Sequence, residues 1–271
     1  MYNDYWGLKE KPFENTPDPR FMVYTPQHEE GISRLLYAVR ESKGAALLSG
    51  VFGCGKTLLG RVLLKELEQD VYRTAFILNP QMEYLELLMS IASALGERDL
   101  PTKKTEVLAN AVLNSLQTIL QNNIRDGKKT VVIIDEAHVI EDRTVWEGLR
   151  LLMNFQEEER FILTLIFLGQ PELKAKIDAN KQLSQRIALR CHLGPLSEEE
   201  TKAYILHRLK VAGREEPVFA GETLRLVHEK AGGIPRRINN ICDLALLTGF
   251  GRKLKEIDGA SLQEVVRDIE A

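Results

Sequence analysis

The strongest indication of the fold is the stretch Gly50-Val51-Phe52-Gly53-Cys54-Gly55-Lys56-Thr57. It matches the pattern G-x-x-x-x-G-K-[ST]. The apolar run Ala45–Ser49 precedes it and a helical pattern follows it, which is the context that the pattern requires. Its glycines let backbone N–H groups curl around phosphate oxygens, and the amino terminus of the following helix adds a favourable dipole. The stretch therefore predicts a phosphate-binding loop between a buried strand and a helix, with a chance glycine-rich turn as the alternative.

The side chains of this loop have expected partners on a nucleotide. The ammonium group of Lys56 is expected to reach the β- and γ-phosphates, and the hydroxyl of Thr57 to bind Mg²⁺. The predicted nucleotide-binding residues run from Gly50 to Leu58. At Cys54 we expect the backbone N–H alone to matter; the alternative is a redox-sensitive thiolate, favoured by the surrounding N–H groups and by Lys56.

A second motif lies at the end of another apolar run. Residues Val131–Ile134 are followed by Asp135 and Glu136, so a buried strand would deliver Asp135 to the metal and Glu136 to the attacking water. The alternative is an acidic pair that caps the next helix, which the phosphate loop earlier in the chain disfavours. We therefore expect ATP and Mg²⁺ as ligands and hydrolysis of ATP to ADP and phosphate as the reaction.

Five strand-like runs and a helical tail define the expected fold. Continuous apolar runs indicate strands buried on both faces of a parallel sheet, and they are Ala45–Ser49, Thr74–Leu78, Thr130–Ile134, Phe161–Leu168 and the weaker Ile187–Leu193. After Pro195 the pattern is helical, beginning with a capping box at Ser197 and Glu200. The sequence predicts an α/β domain with a five-stranded parallel sheet over residues 1–195 and a helical domain over residues 196–271.

Composition narrows the classes of function. The 271 residues carry a formal net charge of −3, with 44% hydrophobic and 28% charged residues, so the chain is not a bulk electrostatic binder of nucleic acid. A basic stripe on the tail, including Arg225 and Arg252, is either a DNA-facing or partner-facing surface or an ordinary solvated one. Three cysteines without metal spacing indicate reduced thiols in a cytoplasmic protein. We see no signal peptide and no apolar run of about 18 residues that would span a membrane.

The two motifs and the helical tail resemble the AAA+ ATPases, and the wider pattern is most similar to members of the general secretion pathway protein A type. These members serve secretion, pilus and exopolysaccharide systems. The wider pattern consists of Tyr5–Leu8, Pro12-Phe13, Pro17–Phe21, His28, Leu168–Leu173 and Gly232–Arg237. The resemblance implies an αβα core with a helical lid and an ATPase site completed by a neighbouring subunit.

The resemblance also implies roles for residues outside the two motifs. Gln170 falls at the first sensor, where its amide would bond the γ-phosphate or the water; the alternative is a turn residue before Pro171. Arg186 falls at the arginine finger, with Arg190 as its rival and a solvated basic residue as the alternative. Arg236 matches the second sensor of the lid.

Two further parts of the site are implied in the same way. Asn79 matches the residue that restrains Glu136 until a partner engages, and its alternative is an Asn-Pro turn. The segment of residues 1–44 is expected to close the adenine pocket, with lid residues near Tyr204. Ordinary core packing is the alternative for its apolar residues, which are Phe13, Phe21, Val23 and Tyr24.

These expectations combine into one function and two rivals. The first function is ATP hydrolysis at a subunit interface that drives assembly or remodelling of a bacterial envelope machine. Its partners would be copies of this chain, as a nucleotide-dependent homo-oligomer for which a hexamer is one candidate, and an envelope protein. It would be cytoplasmic and peripheral to the inner membrane, through a partner or a further C-terminal region. The rivals are an ATP-dependent DNA-binding regulator, with DNA a less favoured partner, and a nucleotide-gated scaffold.

Overall fold

A five-stranded parallel sheet forms the centre of the α/β part of the chain. The computed structural model describes residues 2–97, 109–157 and 160–270. The strands are β1 (Ala45–Gly50), β2 (Tyr72–Ile77), β3 (Lys129–Ile134), β4 (Gln156–Glu157), β5 (Arg160–Phe161), β6 (Leu163–Gly169) and β7 (Ile187–Leu193). The sheet has the order β2-β3-β6-β1-β7 with all neighbours parallel, and β4 and β5 form a separate antiparallel pair. The predicted fold class is confirmed.

The predicted run Phe161–Leu168 divides between two strands. Phe161 belongs to the β4–β5 pair, and the sheet strand β6 begins at Leu163. A Cβ at Gly44 would lie 3.1 Å from the Phe161 ring, so the aromatic side chain packs against the residue before β1. Phe161 therefore covers the start of the sheet.

Helices connect the strands and make up the tail. They are α1 (Asn3–Trp6), α2 (Pro26–Arg40), α3 (Lys56–Glu66), α4 (Tyr84–Ala94), α5 (Ala109–Arg125), α6 (Arg143–Leu152), α7 (Glu172–Ala179), α8 (Lys181–Ser184), α9 (Glu198–Val211), α10 (Gly221–Ala231), α11 (Pro235–Gly251) and α12 (Gly259–Glu270). The capping box before α9 is present: the Ser197 hydroxyl accepts from Glu200 N–H at 3.2 Å, and the Glu200 carboxylate accepts from Ser197 N–H at 2.8 Å. Among the described residues, no helix is both long enough and apolar enough to cross a membrane.

The chain divides into two compact units. The first unit contains Met1–His28, Val51–Leu58 and Gly194–Ala271, and the second contains Glu29–Gly50 and Leu59–Leu193. This division differs from the predicted one, which places residues 1–195 together and only residues 196–271 in the lid. The N-terminal segment and the tail share one apolar core because their aromatic side chains pack together.

Specific contacts tie the N-terminal segment to the tail within the first unit. The indole N–H of Trp6 donates to the carbonyl of Leu246 at 2.9 Å, and the Phe13 and Phe219 rings meet edge to face with centroids 6.2 Å apart. The buried guanidinium of Arg208 donates to the carbonyls of Pro12 and Glu14. These contacts explain why residues 1–28 group with the tail.

The same packing bears on the expected adenine pocket. Phe13, Phe21 and Tyr204 are all less than 8% exposed and belong to the core of the first unit, which favours core packing for them. Val23 is partly buried against that core, whereas Tyr24 is 49% exposed. Tyr24 is therefore the member of the predicted set whose ring is open to a ligand.

Candidate functional site

The phosphate loop, residues 51–55, connects the end of β1 to the start of α3 at Lys56. Gly53 and Gly55 have φ values of +86° and +90°, in the left-handed region that L side chains avoid. A Cβ at Gly53 would also lie 2.9 Å from the Cβ of Arg236. Glycine is thus required at Gly53 for both backbone conformation and space, and at Gly55 for conformation.

The loop curls around one of its own carbonyls. The Nζ atom of Lys56 donates to the Val51 carbonyl at 3.0 Å, and Cys54 N–H donates to the same oxygen at 3.2 Å. Lys56 is 4% exposed, so its charge is held inside the loop. Thr57 follows in the first turn of α3. A nucleoside triphosphate requires donors of three kinds: backbone N–H groups, an ammonium and a hydroxyl. The loop and the first turn of α3 contain all three.

Arg236, the predicted second sensor, meets this loop within the first unit. Its backbone N–H donates to the Gly53 carbonyl at 3.3 Å, and its guanidinium carbon lies 4.3 Å from the centroid of the exposed Phe52 ring. The preceding Gly233 has φ +68°, and a Cβ there would lie 2.2 Å from the Leu196 carbonyl oxygen. That close approach packs the turn before α11 against Leu196, just before α9.

Burial shifts the pKa values of two titratable groups at the loop, Cys54 and His28. Burial raises the pKa of the Cys54 thiol, an effect that Lys56 only partly offsets, so the structure favours the backbone role of Cys54 over a reactive thiolate. Burial lowers the pKa of His28, against smaller opposing effects of the Cys54 backbone and Glu200. The His28 Nδ1 atom lies 2.7 Å from the hydroxyl of Thr25. A neutral imidazole therefore supports the loop.

The second unit carries the acidic motif at the end of β3. Asp135 is 2% exposed, its N–H donates to the Ile77 carbonyl at 2.8 Å, and its carboxylate accepts from Glu136 N–H at 2.9 Å. Glu136 has φ +53° and ψ +30°, a left-handed conformation that is costly for a residue with a side chain. The chain turns sharply here, and the carboxylate of Glu136 is left about one-third exposed.

A histidine that the sequence analysis missed lies between Glu136 and Gln170. Gln170 follows β6, the neighbour of β3, and its side-chain nitrogen lies 2.9 Å from Nε2 of His138. The Nδ1 atom of His138 lies 3.4 Å from a Glu136 carboxylate oxygen and 3.4 Å from the Gln170 backbone nitrogen. The sequence feature that could have identified His138 is its position two residues after Glu136, on the same turn.

Asn79 and Glu136 occupy corresponding positions just beyond the ends of β2 and β3, which pair Ile77 with Ile134. The Asn79 side-chain oxygen accepts from Gln81 N–H at 3.2 Å, the hydrogen bond of an Asx turn. Within the described part of the chain, no hydrogen bond joins Asn79 to Glu136. This geometry matches the Asn-Pro turn that was the alternative for Asn79.

The two candidate finger residues have different surroundings. The Arg190 guanidinium pairs with Asp178 at 2.9 Å and donates to the Ser184 hydroxyl at 2.8 Å. Together, the Ser184 hydrogen bond and Arg190 lower the pKa of Asp178. By contrast, Nη1 of Arg186 is buried and has no hydrogen-bond partner among the described residues.

Arg186 also lies at the amino-terminal end of the strands, whereas β1 and β3 lead into the two motifs at their carboxyl ends. It comes directly before β7, whose first residue Ile187 pairs with Ala45, while Leu193 pairs with Gly50. The five steps between the six residues from Ala45 to Gly50 correspond to roughly 17 Å at the usual rise of a strand. Since all five strands are parallel, Arg186 lies well away from the carboxyl end of β1.

The oxygen ligands present suit magnesium bound together with phosphate. Among the described residues, no group of three or more His, Cys, Asp or Glu could hold a metal alone. Mg²⁺ takes one or two protein oxygens, and phosphates and waters supply the rest. Asp135 and Thr57 each carry an oxygen of the kind that Mg²⁺ binds.

The basic stripe of the tail is partly neutralised by nearby acids. Arg225 pairs with Glu229 at 3.0 Å, and Arg252 pairs with Glu264. Exposed pairs of this kind contribute little to stability. The pairing favours a solvated helical surface over a stripe facing DNA.

Comparison with known proteins places the chain in a family. A family model described as an AAA domain matches residues 39–177, just over half of the chain. General secretion pathway protein A of Aeromonas hydrophila is 38% identical over 255 residues, which are 93% of this chain and 45% of that protein. This chain therefore spans less than half the length of that relative.

Proteins of replication origins share the fold. ORC1-type DNA replication protein 1 of Halobacterium salinarum is 26% identical over 259 residues, covering 91% of this chain and 79% of that protein. The Aeropyrum pernix ORC1 protein, solved in complex with DNA, aligns with a TM-score of 0.74 at 18% identity, over 96% of this chain and 70% of that chain. The chain belongs to the AAA domain family, and its resemblance to AAA+ ATPases of the general secretion pathway protein A type is confirmed.

Proposed function

We propose that this chain binds ATP with Mg²⁺ and hydrolyses it at a site shared by two copies of the chain. The observation that carries the proposal is the phosphate loop, in which Gly53 and Gly55 hold positive φ values directly before Lys56. Arg236 lies against the same loop. Membership of the AAA domain family supports the assignment of ATP as the nucleotide.

Each residue then has a defined part in hydrolysis. The N–H groups of the loop and the ammonium of Lys56 bind the β- and γ-phosphates, and Mg²⁺ bound through Thr57 and Asp135 neutralises their charge. The carboxylate of Glu136 orients the attacking water and accepts its proton. The amide of Gln170 and the guanidinium of Arg236 bond to the γ-phosphate. Donors fixed before the reaction stabilise the charge of the transition state without reorganisation.

The environment of Arg186 supports a site completed by a second copy. Arg186 lies before β7, at the strand end opposite to the carboxyl end of β1 that leads into the loop, so we infer that it serves the loop of another copy. Its Nη1 atom has no partner in the described chain, whereas Arg190 is engaged with Asp178. We therefore assign Arg186 as the finger and expect a homo-oligomer, for which a hexamer remains one candidate.

The biological role that we propose is work on a bacterial envelope machine. The support is the 38% identity to general secretion pathway protein A, over 93% of this chain. Hydrolysis would change the arrangement of the helical tail and so drive assembly or remodelling of a protein partner. We place this work on the cytoplasmic side of the inner membrane, where ATP is supplied.

A DNA-binding regulator is the second candidate, and the likeness to origin-binding proteins favours it. Binding to duplex DNA separates the two. We expect weak binding that falls steeply with salt, because phosphate contacts release counterions. Tight, ATP-dependent binding at physiological salt would instead support the regulator.

Two variants test the ATPase. Lys56→Ala should abolish ATP binding in calorimetric titration of the folded protein, because the loop loses its ammonium. Glu136→Gln should bind ATP normally and turn over far more slowly, because the amide cannot accept the proton. Unchanged affinity in the first variant would overturn the loop assignment. Unchanged turnover in the second would exclude Glu136 as the base. A wild-type chain that binds ATP with almost no turnover would instead support the nucleotide-gated scaffold.

A further inference from the structure

We propose that His138 is a positioning residue that couples the side chains of Glu136 and Gln170. The inference rests on the proposed function, since it gives His138 a part in the same hydrolysis. Its basis is the contact of one imidazole with both side chains: 3.4 Å from Nδ1 to the Glu136 carboxylate and 2.9 Å from Nε2 to the Gln170 amide. The His138 side chain is 14% exposed, so water competes little for these contacts.

The backbone around His138 is held in place from two sides. The ammonium of Lys176, in α7, donates to the carbonyls of His138 and Ile140. A Cβ at Gly169 would lie 3.2 Å from the His138 backbone nitrogen, so glycine at the end of β6 lets the two chain segments approach. The imidazole is thus fixed between the ends of β3 and β6 rather than placed on a loose loop.

The contacts of the ring fall into two exclusive sets. With the proton on Nδ1, the ring donates toward Glu136 and its Nε2 accepts from the Gln170 amide. With the proton on Nε2, Nδ1 accepts from the Gln170 backbone N–H, and the Gln170 side chain must present its oxygen. The orientation of the Gln170 amide is therefore linked to whether Nδ1 can donate toward the Glu136 carboxylate, 3.4 Å away.

This linkage has a consequence for hydrolysis. If Gln170 turns toward the γ-phosphate, His138 loses its amide partner and its bond to Glu136 changes as well. The alignment of the base would then depend on whether the sensor has engaged its phosphate. Small errors in the position of a base cost large factors in rate, so this coupling would act on turnover and not on the binding of ATP.

Three substitutions at His138 separate its two contacts. His138→Asn keeps a polar atom near the position of Nδ1, and His138→Gln keeps one near the position of Nε2. His138→Ala removes both. We expect His138→Ala to lower kcat about 10- to 100-fold, the usual loss for an orienting partner, with KM for ATP and calorimetric affinity within about threefold of wild type. Each amide variant should recover part of the lost kcat, and neither should recover all of it.

A double variant tests the coupling itself. The loss in His138→Ala combined with Gln170→Ala should be smaller than the product of the single losses, because the first substitution already breaks the link. His207→Ala is a matched control on α9, away from these contacts, and should keep wild-type turnover. Thermal melting shows whether each variant is folded, and the amide variants keep the test valid if His138→Ala unfolds.

The outcomes distinguish the inference from the function on which it rests. A wild-type chain that binds ATP but never turns it over would overturn both. Normal wild-type turnover with equal kcat in His138→Ala would overturn the coupling alone. Strictly multiplicative losses in the double variant, or a loss confined to ATP affinity, would also overturn it.

Discussion

Glu136 holds its left-handed backbone at a cost of about 1–2 kcal/mol, because its Cβ approaches the following carbonyl oxygen. Glu136→Gly should relieve that strain. Since glycine also has more freedom in the unfolded chain, we expect Glu136→Gly to be about 1 kcal/mol more stable than Glu136→Ala, which keeps the Cβ. Urea unfolding of both variants measures the difference.

Turnover completes this comparison, because both variants lack the carboxylate and should be equally inactive. Proteins often keep a strained backbone at a functional position, because the geometry serves function although it lowers stability. Equal free energies of unfolding for the glycine and alanine variants would show that Glu136 is not strained.

His28 offers a test by pH. Burial lowers its pKa in the folded chain below the value of about 6.5 expected when unfolded. The unfolded state then binds the extra proton, so this contribution to stability is fully present above about pH 6.5 and is lost as the pH falls toward the folded pKa. We expect His28→Gln to lose less stability than wild type between about pH 7.5 and about pH 5.5.

Chemical denaturation at the two pH values gives the result. Other groups titrate identically in both proteins, so the difference between them reports on His28. A steeper loss of stability in His28→Gln than in wild type would contradict the burial of a neutral imidazole beside Cys54.

Sequence alone predicted roles for residues whose chemistry follows from their place in a motif, such as Lys56 and Glu136. It did not identify His138, because the role of that ring depends on β3 and β6 being neighbours. The order of the strands is a property of the whole sheet, and no local sequence pattern at the strand ends indicates which strands are neighbours. The sequence placed Arg186 at the finger with Arg190 as its rival, and the structure adds that the contacts of the two residues differ.

At the scale of elements, helix α6 packs closely against α4 through a glycine. A Cβ at Gly148 would lie 1.9 Å from a ring carbon of Tyr84. Alanine is normally the better helix former by up to about 1 kcal/mol, yet we expect Gly148→Ala to destabilise the chain by about 1–3 kcal/mol through overpacking. Thermal or urea unfolding measures this loss.

Gly251 is the matched control, since it is also helical and a Cβ there would meet nothing within 4 Å. Gly251→Ala should be neutral or stabilising by up to about 1 kcal/mol. Combining Gly148→Ala with Tyr84→Ala should cost less than the sum of the two single changes. A stabilised Gly148→Ala would mean that the two helices do not pack as the structure has them.

The sequence predicted the bounds of one strand and the start of one helix of the tail. The run Ile187–Leu193 became β7 with the same ends, and the capping box at Ser197 fixed the start of α9. The short β4–β5 pair was missed, because a strand of two residues is too short to carry a period.

At the scale of the whole molecule, the compact units differ from the predicted domains in where residues 1–28 belong. The hydrogen bond between Trp6 and Leu246 joins residues 240 positions apart, and no local pattern announces such a contact. An aromatic-rich segment reads equally well as a ligand pocket or as part of a core. Here most of its rings complete the core of the first unit.

The assembly of several chains provides the last test. Arg186→Ala should leave ATP binding nearly intact and abolish turnover, because a finger acts mainly in the transition state. Lys56→Ala loses the phosphate loop and keeps the finger. Mixed oligomers should therefore regain turnover at interfaces that join a sound loop to a sound finger, while neither variant is active alone. Light scattering must show that the two variants assemble together. Co-assembly without any recovery would reject either a shared site or the choice of Arg186, and Arg190→Ala in the same mixture would decide between them.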